Sequence, residues 1–323
     1  MTVPQFGIFA QGTIAHEFIE FDLRPDVDMA RATTALSQLR APAVAAGGIN
    51  LVIGFGSELW KTVAPDQAPA DLANFAPIGR LGGHHAPATQ HDFWLWISGS
   101  SQDVVFEHAR AAVKMLTDVA TVASERPCFV HRDSRDLTGF IDGSANPMTH
   151  EAPAAALIPD GQPGEGGAHV IVMRWVHDLD AFEQLPRQEQ ERVFGRSKQA
   201  SIEMTGDALP ADAHIARVQI SDPAGEELPI YRRSVPYGTV AEHGLYFVAF
   251  SADRTRFDRM LARMFGTDAD QIHDHLTDFS RPVTGSFYFA PSLTCLAELG
   301  ERWGAAAVEA IPSSAEPAGN PST

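Results

Sequence analysis

An acid on a tight turn, a histidine heading a polar–apolar segment and a pair of arginines are the side chains best placed to do chemistry. The acid is Asp142, in Asp136-Leu137-Thr138-Gly139-Phe140-Ile141-Asp142-Gly143-Ser144-Ala145-Asn146-Pro147, where the flanking glycines put a carboxylate on a turn. The histidine is His214, in Ala213-His214-Ile215-Ala216-Arg217-Val218, which reads as the mouth of an alternating strand. The arginines are Arg232 and Arg233, in Ile230-Tyr231-Arg232-Arg233-Ser234-Val235-Pro236-Tyr237-Gly238. A positioned carboxylate can move a proton. A neutral imidazole can hold a metal. A guanidinium, always charged, can stabilise developing negative charge. Taken singly, each has a plainer reading: an ordinary Asp-Gly turn, a hydrogen-bonded structural histidine, and solvated strand arginines.

Other chemistries lack their spacing. The 13 histidines form no HExxH, and Cys128 and Cys295 are the 2 cysteines, with no CxxC pair or disulfide framework. No GxSxG elbow, Walker loop or GxGxxG opening a helix occurs, and Gly54-Phe55-Gly56 is too short to count. What remains is a cofactor held by residues scattered along the chain, as haem often is. With 41 acidic against 24 basic residues, the net charge of −17 repels nucleic acid and anionic membrane, so neither is an expected partner. No apolar run approaches the roughly 18 residues of a membrane span. The N-terminus shows no secretory pattern, so a reduced, cytoplasmic setting is expected.

The elements that must position these residues come in two matching sets. Phe93–Ser98 reads as a buried strand, followed by a helix over Asp103–Leu116 with Val105, Ala109, Ala112 and Leu116 on one face. Tyr246–Ser251 repeats the strand, and Phe257, Met260, Leu261, Met264 and Phe265 mark the helix after it. Ser251 minus Ser98 is an offset of 153 residues in a chain of 323, which points to a duplicated α+β unit. Phe6–Asp22 and Asn50–Phe55 read as strands flanking a helix from about Asp28 to Gln38. Further strands are expected at Ala168–Val176, Ile215–Ile220, Leu228–Arg233 and Phe287–Phe289. A helix is expected over Leu185–Phe194, with Pro186 near its start. The expected fold is therefore two tandem ferredoxin-like domains, antiparallel sheets with helices packed outside, at 1–143 and 168–310. The Ala-, Pro- and Gly-rich stretch 144–167 reads as a connecting loop, and Ile311–Thr323 as a disordered tail or a docking peptide.

GFIDGSANP, RWVHDL, GRSK, AHIARV, YRRSVPYGT, HGLYFVAFS and PVTGSFYFAPS occur here in that order. In combination they resemble the bacterial B-type dye-decolorizing peroxidases, over about Phe6 to Leu296. The resemblance implies one haem b per chain, in the C-terminal half. It implies an enzyme reducing hydrogen peroxide through a ferryl intermediate and oxidising organic donors such as dyes or phenols. His214 matches the proximal iron ligand, and Asp274, with Asp278 as alternative, the acid behind it. Asp142 and Arg232 match the distal acid and arginine, and Ser234 a distal polar residue. Arg196 matches a propionate-binding arginine, and Phe247 a residue packed on the macrocycle. Trp94, Trp96, Trp175 and Tyr246 are candidates to carry electrons from donors too large for the pocket. Ala145 stands where several relatives carry a glutamate associated with metal-ion oxidation, which argues against manganese oxidation by that route. A homo-oligomer is also implied, and the tail could dock the chain inside a protein shell. A haem-binding or haem-transfer protein with incidental peroxidase activity is the competing reading. The turn at Asp142-Gly143 together with Arg232 argues against the chlorite-dismutase and coprohaem-decarboxylase groups.

Overall fold

The computed structural model describes residues 2–39, 48–80 and 82–309, with side chains as far as residue 304. Its first half contains β1 (Ala15–Leu23), α1 (Met29–Ser37), β2 (Asn50–Phe55), β3 (Phe93–Gly99), α2 (Gln102–Leu116) and β4 (Ala120–Phe129). The strands pair antiparallel in the order β2-β3-β1-β4. The second half contains β5 (Ala168–His177), α3 (Arg187–Phe194), α4 (His214–Val218), β6 (Val235–Gly238) and β7 (His243–Ser251). It continues with α5 (Thr255–Met264), β8 (Ser286–Ala290) and α6 (Leu293–Glu309). Here the order is β8-β5-β7-β6, again antiparallel. Each half has the ferredoxin-like order, with the first and third strands central and the other two at the edges. The duplication expected from the sequence is present.

The unbroken apolar run of β3 follows from burial on both faces. Phe93, Leu95 and Ile97 pack with Val105, Ala109 and Leu116 of α2. Trp94 and Trp96 point the other way, into a layer shared with Phe18, Tyr246, Phe250 and Tyr288 from both halves. A strand covered by helices on one side and a second sheet on the other cannot alternate with polar residues. Phe18 stacks on Tyr246 with ring centroids 4.1 Å apart. Glu20 is buried in this layer, accepting from the Tyr288 hydroxyl at 2.7 Å and the Ser286 hydroxyl at 3.2 Å. The two sheets also touch at both edges, through single residue pairs, Phe55 with Phe289 and Cys128 with Tyr237.

Several expected elements differ. Phe6–Asp22 is a 3-10 turn over Phe6–Phe9 followed by β1, separated by Gly12 at φ +74°. Of the expected strand at Ile215–Ile220, Ile215–Val218 belongs instead to α4 and Gln219–Ile220 follow it outside any strand. Leu228–Arg233 contributes only Tyr231–Arg232, paired with Phe250 and Ala249; Pro229 has no N–H to give a ladder. The helix expected over Leu185–Phe194 begins at Arg187, with Pro186 as its cap. The loop 144–167 holds a short helix, Ala152–Ala156, whose buried alanines face the second sheet. The tail Ile311–Thr323 lies outside the described residues.

Candidate active site

α4 is only a turn and a half long, and neighbours hold it. Arg217, 2% exposed, sends Nη1 and Nη2 to the two oxygens of Asp270 at 2.7 and 2.9 Å. Arg217 Nε donates to the Arg263 carbonyl, and Arg263 Nε returns a bond to the Arg217 carbonyl, both at 3.1 Å. This reciprocal clasp fixes α4 against α5 and sets the direction of His214, the first residue of α4. His214 Nδ1 lies 2.7 Å from Asp274 Oδ2. Asp274 is fully buried, and its other oxygen accepts from Leu276 N at 2.9 Å. A carboxylate can only accept, so Nδ1 carries a proton, and in the neutral ring Nε2 keeps its lone pair. Phe194 meets the imidazole edge-on at 5.9 Å. Of the two acids considered, Asp274 is the partner; Asp278 lies with other histidines.

Asp142 is held by its turn, with its N–H donated to Ser134 O at 3.0 Å and Gly139 and Gly143 at φ +88° and +72°. Burial pushes its carboxyl up to about 6; the Arg232 guanidinium opposes this and the Asp136 carboxylate adds to it. Arg232 feels the reverse: burial lowers it and Asp142 raises it. Its Nε is buried with no hydrogen-bond partner among the described residues, a costly state for a cationic group unless something else completes the site. Asn146, four residues beyond Asp142, reaches across to Arg232. Its Oδ1 accepts from Arg232 N at 2.9 Å and its Nδ2 donates to Arg232 O at 2.8 Å. The amide thereby ties the turn that carries the acid to the strand that carries the guanidinium.

One cavity gathers His214, Asp142, Arg232, Arg196 and Phe247 in its lining. Arg196 follows Gly195, which ends α3 at φ +77°, and it is paired with Glu203 and the Ser201 carbonyl. Phe247 packs at the margin of the apolar cluster containing Met260 and Phe287. Ser234 does not reach this lining: its hydroxyl accepts from Val248 N at 3.3 Å, across the strand pair. The distal position expected for Ser234 is therefore not among the residues that line the cavity here. Trp175 lines the cavity, whereas Trp94, Trp96 and Tyr246 are buried in the layer between the sheets.

The wall also contains a group that motif reading quoted without a role. Asp136 Oδ1 lies 3.0 Å from His177 Nε2, and His177 Nδ1 lies 2.7 Å from Ser280 Oγ. Burial works against the Asp136 carboxylate, but His177 and Thr138 outweigh it and hold the group well below its ordinary range. Asp136 opens the same motif as Asp142, and His177 stands in RWVHDL; only the fold brings them together.

An imidazole, an acid and a guanidinium with an unpartnered Nε line one cavity of a duplicated ferredoxin-like scaffold, a donor set suited to holding a cofactor. Comparison makes the class specific. The family model for the N-terminal part of Dyp-type peroxidases matches residues 5–130, and that for the C-terminal part matches 133–295. The chain therefore belongs to the Dyp-type peroxidase family. It is 38% identical to a dye-decolorizing peroxidase of Rhodococcus erythropolis, over 77% of this chain and 74% of that one. The corresponding Mycobacterium tuberculosis protein is 37% identical, over 77% and 75%. Among solved structures, a variant of Rhodococcus jostii DypB in complex with haem matches with a TM-score of 0.85. The identity is 35%, covering 92% of this chain and 98% of that one. Deferrochelatases such as that of Yersinia pestis are more distant, at 23% identity over 61% of this chain.

Proposed function

We propose that the protein is a haem peroxidase in which His214 holds the iron, Asp142 and Arg232 handle peroxide, and organic molecules such as dyes or phenols supply electrons. One observation carries this reading. His214, with its ring oriented by Asp274, shares a single cavity with Asp142 and with Arg232, whose buried Nε has no partner among the described residues. The residues present fit haem. A neutral Nε2 is a suitable donor for iron, and the Asp274 hydrogen bond raises its basicity. Apolar side chains such as Phe247, Met260 and Leu261 give the macrocycle a dry wall.

Bound haem supplies the redox equivalents that split peroxide and are then returned one electron at a time by the donor. Asp142, as a carboxylate, accepts the proton of one peroxide oxygen and delivers it to the other, which departs as water. The Arg232 guanidinium stabilises negative charge as the O–O bond lengthens. Asn146 acts on Arg232 only through its backbone, as a positioning residue. Arg196, although paired with Glu203, stands where a haem carboxylate could draw its guanidinium into a bidentate contact. The free thiols of Cys128 and Cys295 suit a reducing, cytoplasmic compartment. Self-association, and docking inside a shell through Ile311–Thr323, belong to the same reading. So does division of the chain into domains at 1–143 and 168–310, supported by the end of β4 at Phe129 and the start of β5 at Ala168.

Absorption spectroscopy tests the proposal. Protein supplied with haem is expected to develop a Soret band that is lost or displaced in His214→Ala. Retention of an unaltered band in that variant would remove His214 as the ligand.

A further inference from the structure

Beyond the cavity, the structure brings together a second set of donor atoms. His84 sits in the hairpin joining two short strands, Ile78–Gly79 and His85–Ala86. His273 precedes Asp274, and Asp278 is the last residue of the 3-10 turn, His275–Asp278, that follows it. His84 Nε2 and His273 Nε2 lie 3.3 and 3.4 Å from the same oxygen, Asp278 Oδ1. One ligand atom from each of the three residues falls within 4.8 Å of the others. His275 Nε2 stands 3.6 Å from the second Asp278 oxygen.

Hydrogen-bond counting fixes the state of one donor. The Thr277 hydroxyl has one proton, and it goes to the Asp274 carbonyl at 2.6 Å. Its 2.8 Å contact with His84 Nδ1 must therefore have the ring as donor. With Nδ1–H spent on Thr277, Nε2 of neutral His84 presents a lone pair to a carboxylate oxygen. Two acceptors facing each other at that distance need either a second proton on the ring, which makes the contact a plain ion pair, or a metal cation between them. A ring fixed through its other nitrogen is the usual support of a metal-bound histidine.

We propose that His84, His273 and Asp278 form a binding site for a divalent first-row transition cation of the zinc type. Two imidazoles and one carboxylate favour such an ion over magnesium or calcium, which prefer all-oxygen ligands. The two rings now stack at 3.9 Å, and binding would splay them so that both lone pairs meet the ion. Water completes the coordination, because all three side chains are partly exposed. The site would clip the hairpin of the first half to the segment of the second half that bears Asp274. It needs neither peroxide nor haem chemistry.

The test uses full-length, haem-loaded protein with any affinity tag removed, stripped with a chelator and titrated calorimetrically with zinc chloride. One saturable equivalent per chain is expected, unaffected by excess magnesium, together with a rise in the thermal midpoint. His84→Ala and Asp278→Asn should each weaken binding by about a hundredfold, and Thr277→Val by about tenfold. The Soret band of each variant, recorded alongside, reports that the protein is folded and loaded. Absence of saturable binding, or unchanged affinity in both His84→Ala and Asp278→Asn, would overturn the site and leave His84 and Asp278 as an ion pair only. Either result leaves the assignment of His214 untouched.

Discussion

Burial holds the Asp142 carboxyl above the ordinary carboxylate range. Its folded value, about 6, lies above the ordinary 3.8, so it contributes stability in full below about pH 4 and loses it as pH rises through 6. The shift corresponds to at most about 3 kcal/mol, lessened by solvent in the cavity. Haem-free Asp142→Asn should therefore lack this fall between pH 4 and 7 when urea unfolding is compared with the parent. The same titration governs function: peroxide consumption should rise with pH through about 6, and Asp142→Asn should flatten that limb. Asn146→Ala removes two bonds to the Arg232 backbone, a loss of about 2 kcal/mol. It is expected to slow peroxide consumption while the Soret band persists. Asn146→Asp, which can still accept from Arg232 N, should recover part of the rate. That Asp142, Arg232 and His214 would share one cavity, with Asp274 behind His214, was legible from residue type, order and family resemblance together. Asn146 lay inside a quoted motif, yet its partner is 86 residues away and local sequence carries no sign of it. The contact of the Ser234 hydroxyl with Val248 on the adjoining strand was likewise invisible in local sequence.

At the scale of elements, helices that bury one face were readable. The residues expected on the inner faces of α2 and α5 are those buried there, apart from Phe265, buried just beyond the end of α5. α4 was not readable. Over Ala213–Val218 the apolar residues satisfy both an alternating and a helical period, and six residues cannot decide between them. Tertiary contacts decide, through Arg217, Asp270 and Arg263. Gly195 has a comparable dependence at the end of α3. Its φ of +77° allows the chain to turn Arg196 toward the cavity, and an added Cβ would lie 2.7 Å from both Ile215 and Leu209. Gly195→Ala should cost at least about 1 kcal/mol from backbone conformation alone, plus the clash. A lowered thermal midpoint with weakened haem retention is the expected outcome; wild-type values for both would show that the loop accommodates the methyl group.

In the whole molecule, Glu20 joins the halves from within, since it extends from β1 while Tyr288 and Ser286 belong to β8. Burial raises its carboxyl above the ordinary 4.5, more than its hydrogen bonds lower it. Stability from this group is complete below that ordinary value and is lost as pH rises through the folded one. Glu20→Gln keeps an oxygen for both hydroxyls and removes the buried charge. Its advantage over the parent in urea unfolding should therefore widen with pH, and a constant difference would contradict this account. The paired architecture was visible as the 153-residue offset. The way the sheets close on each other was not, because it rests on Phe55 meeting Phe289 and Cys128 meeting Tyr237, one pair at each seam. Those narrow seams determine how the protein fails. Parting the halves would bare the borders of β2, β4, β6 and β8 together with the tryptophan-rich faces between them, and such surfaces recruit other chains. Heating should thus end in precipitation, with an onset that moves to lower temperature as concentration increases.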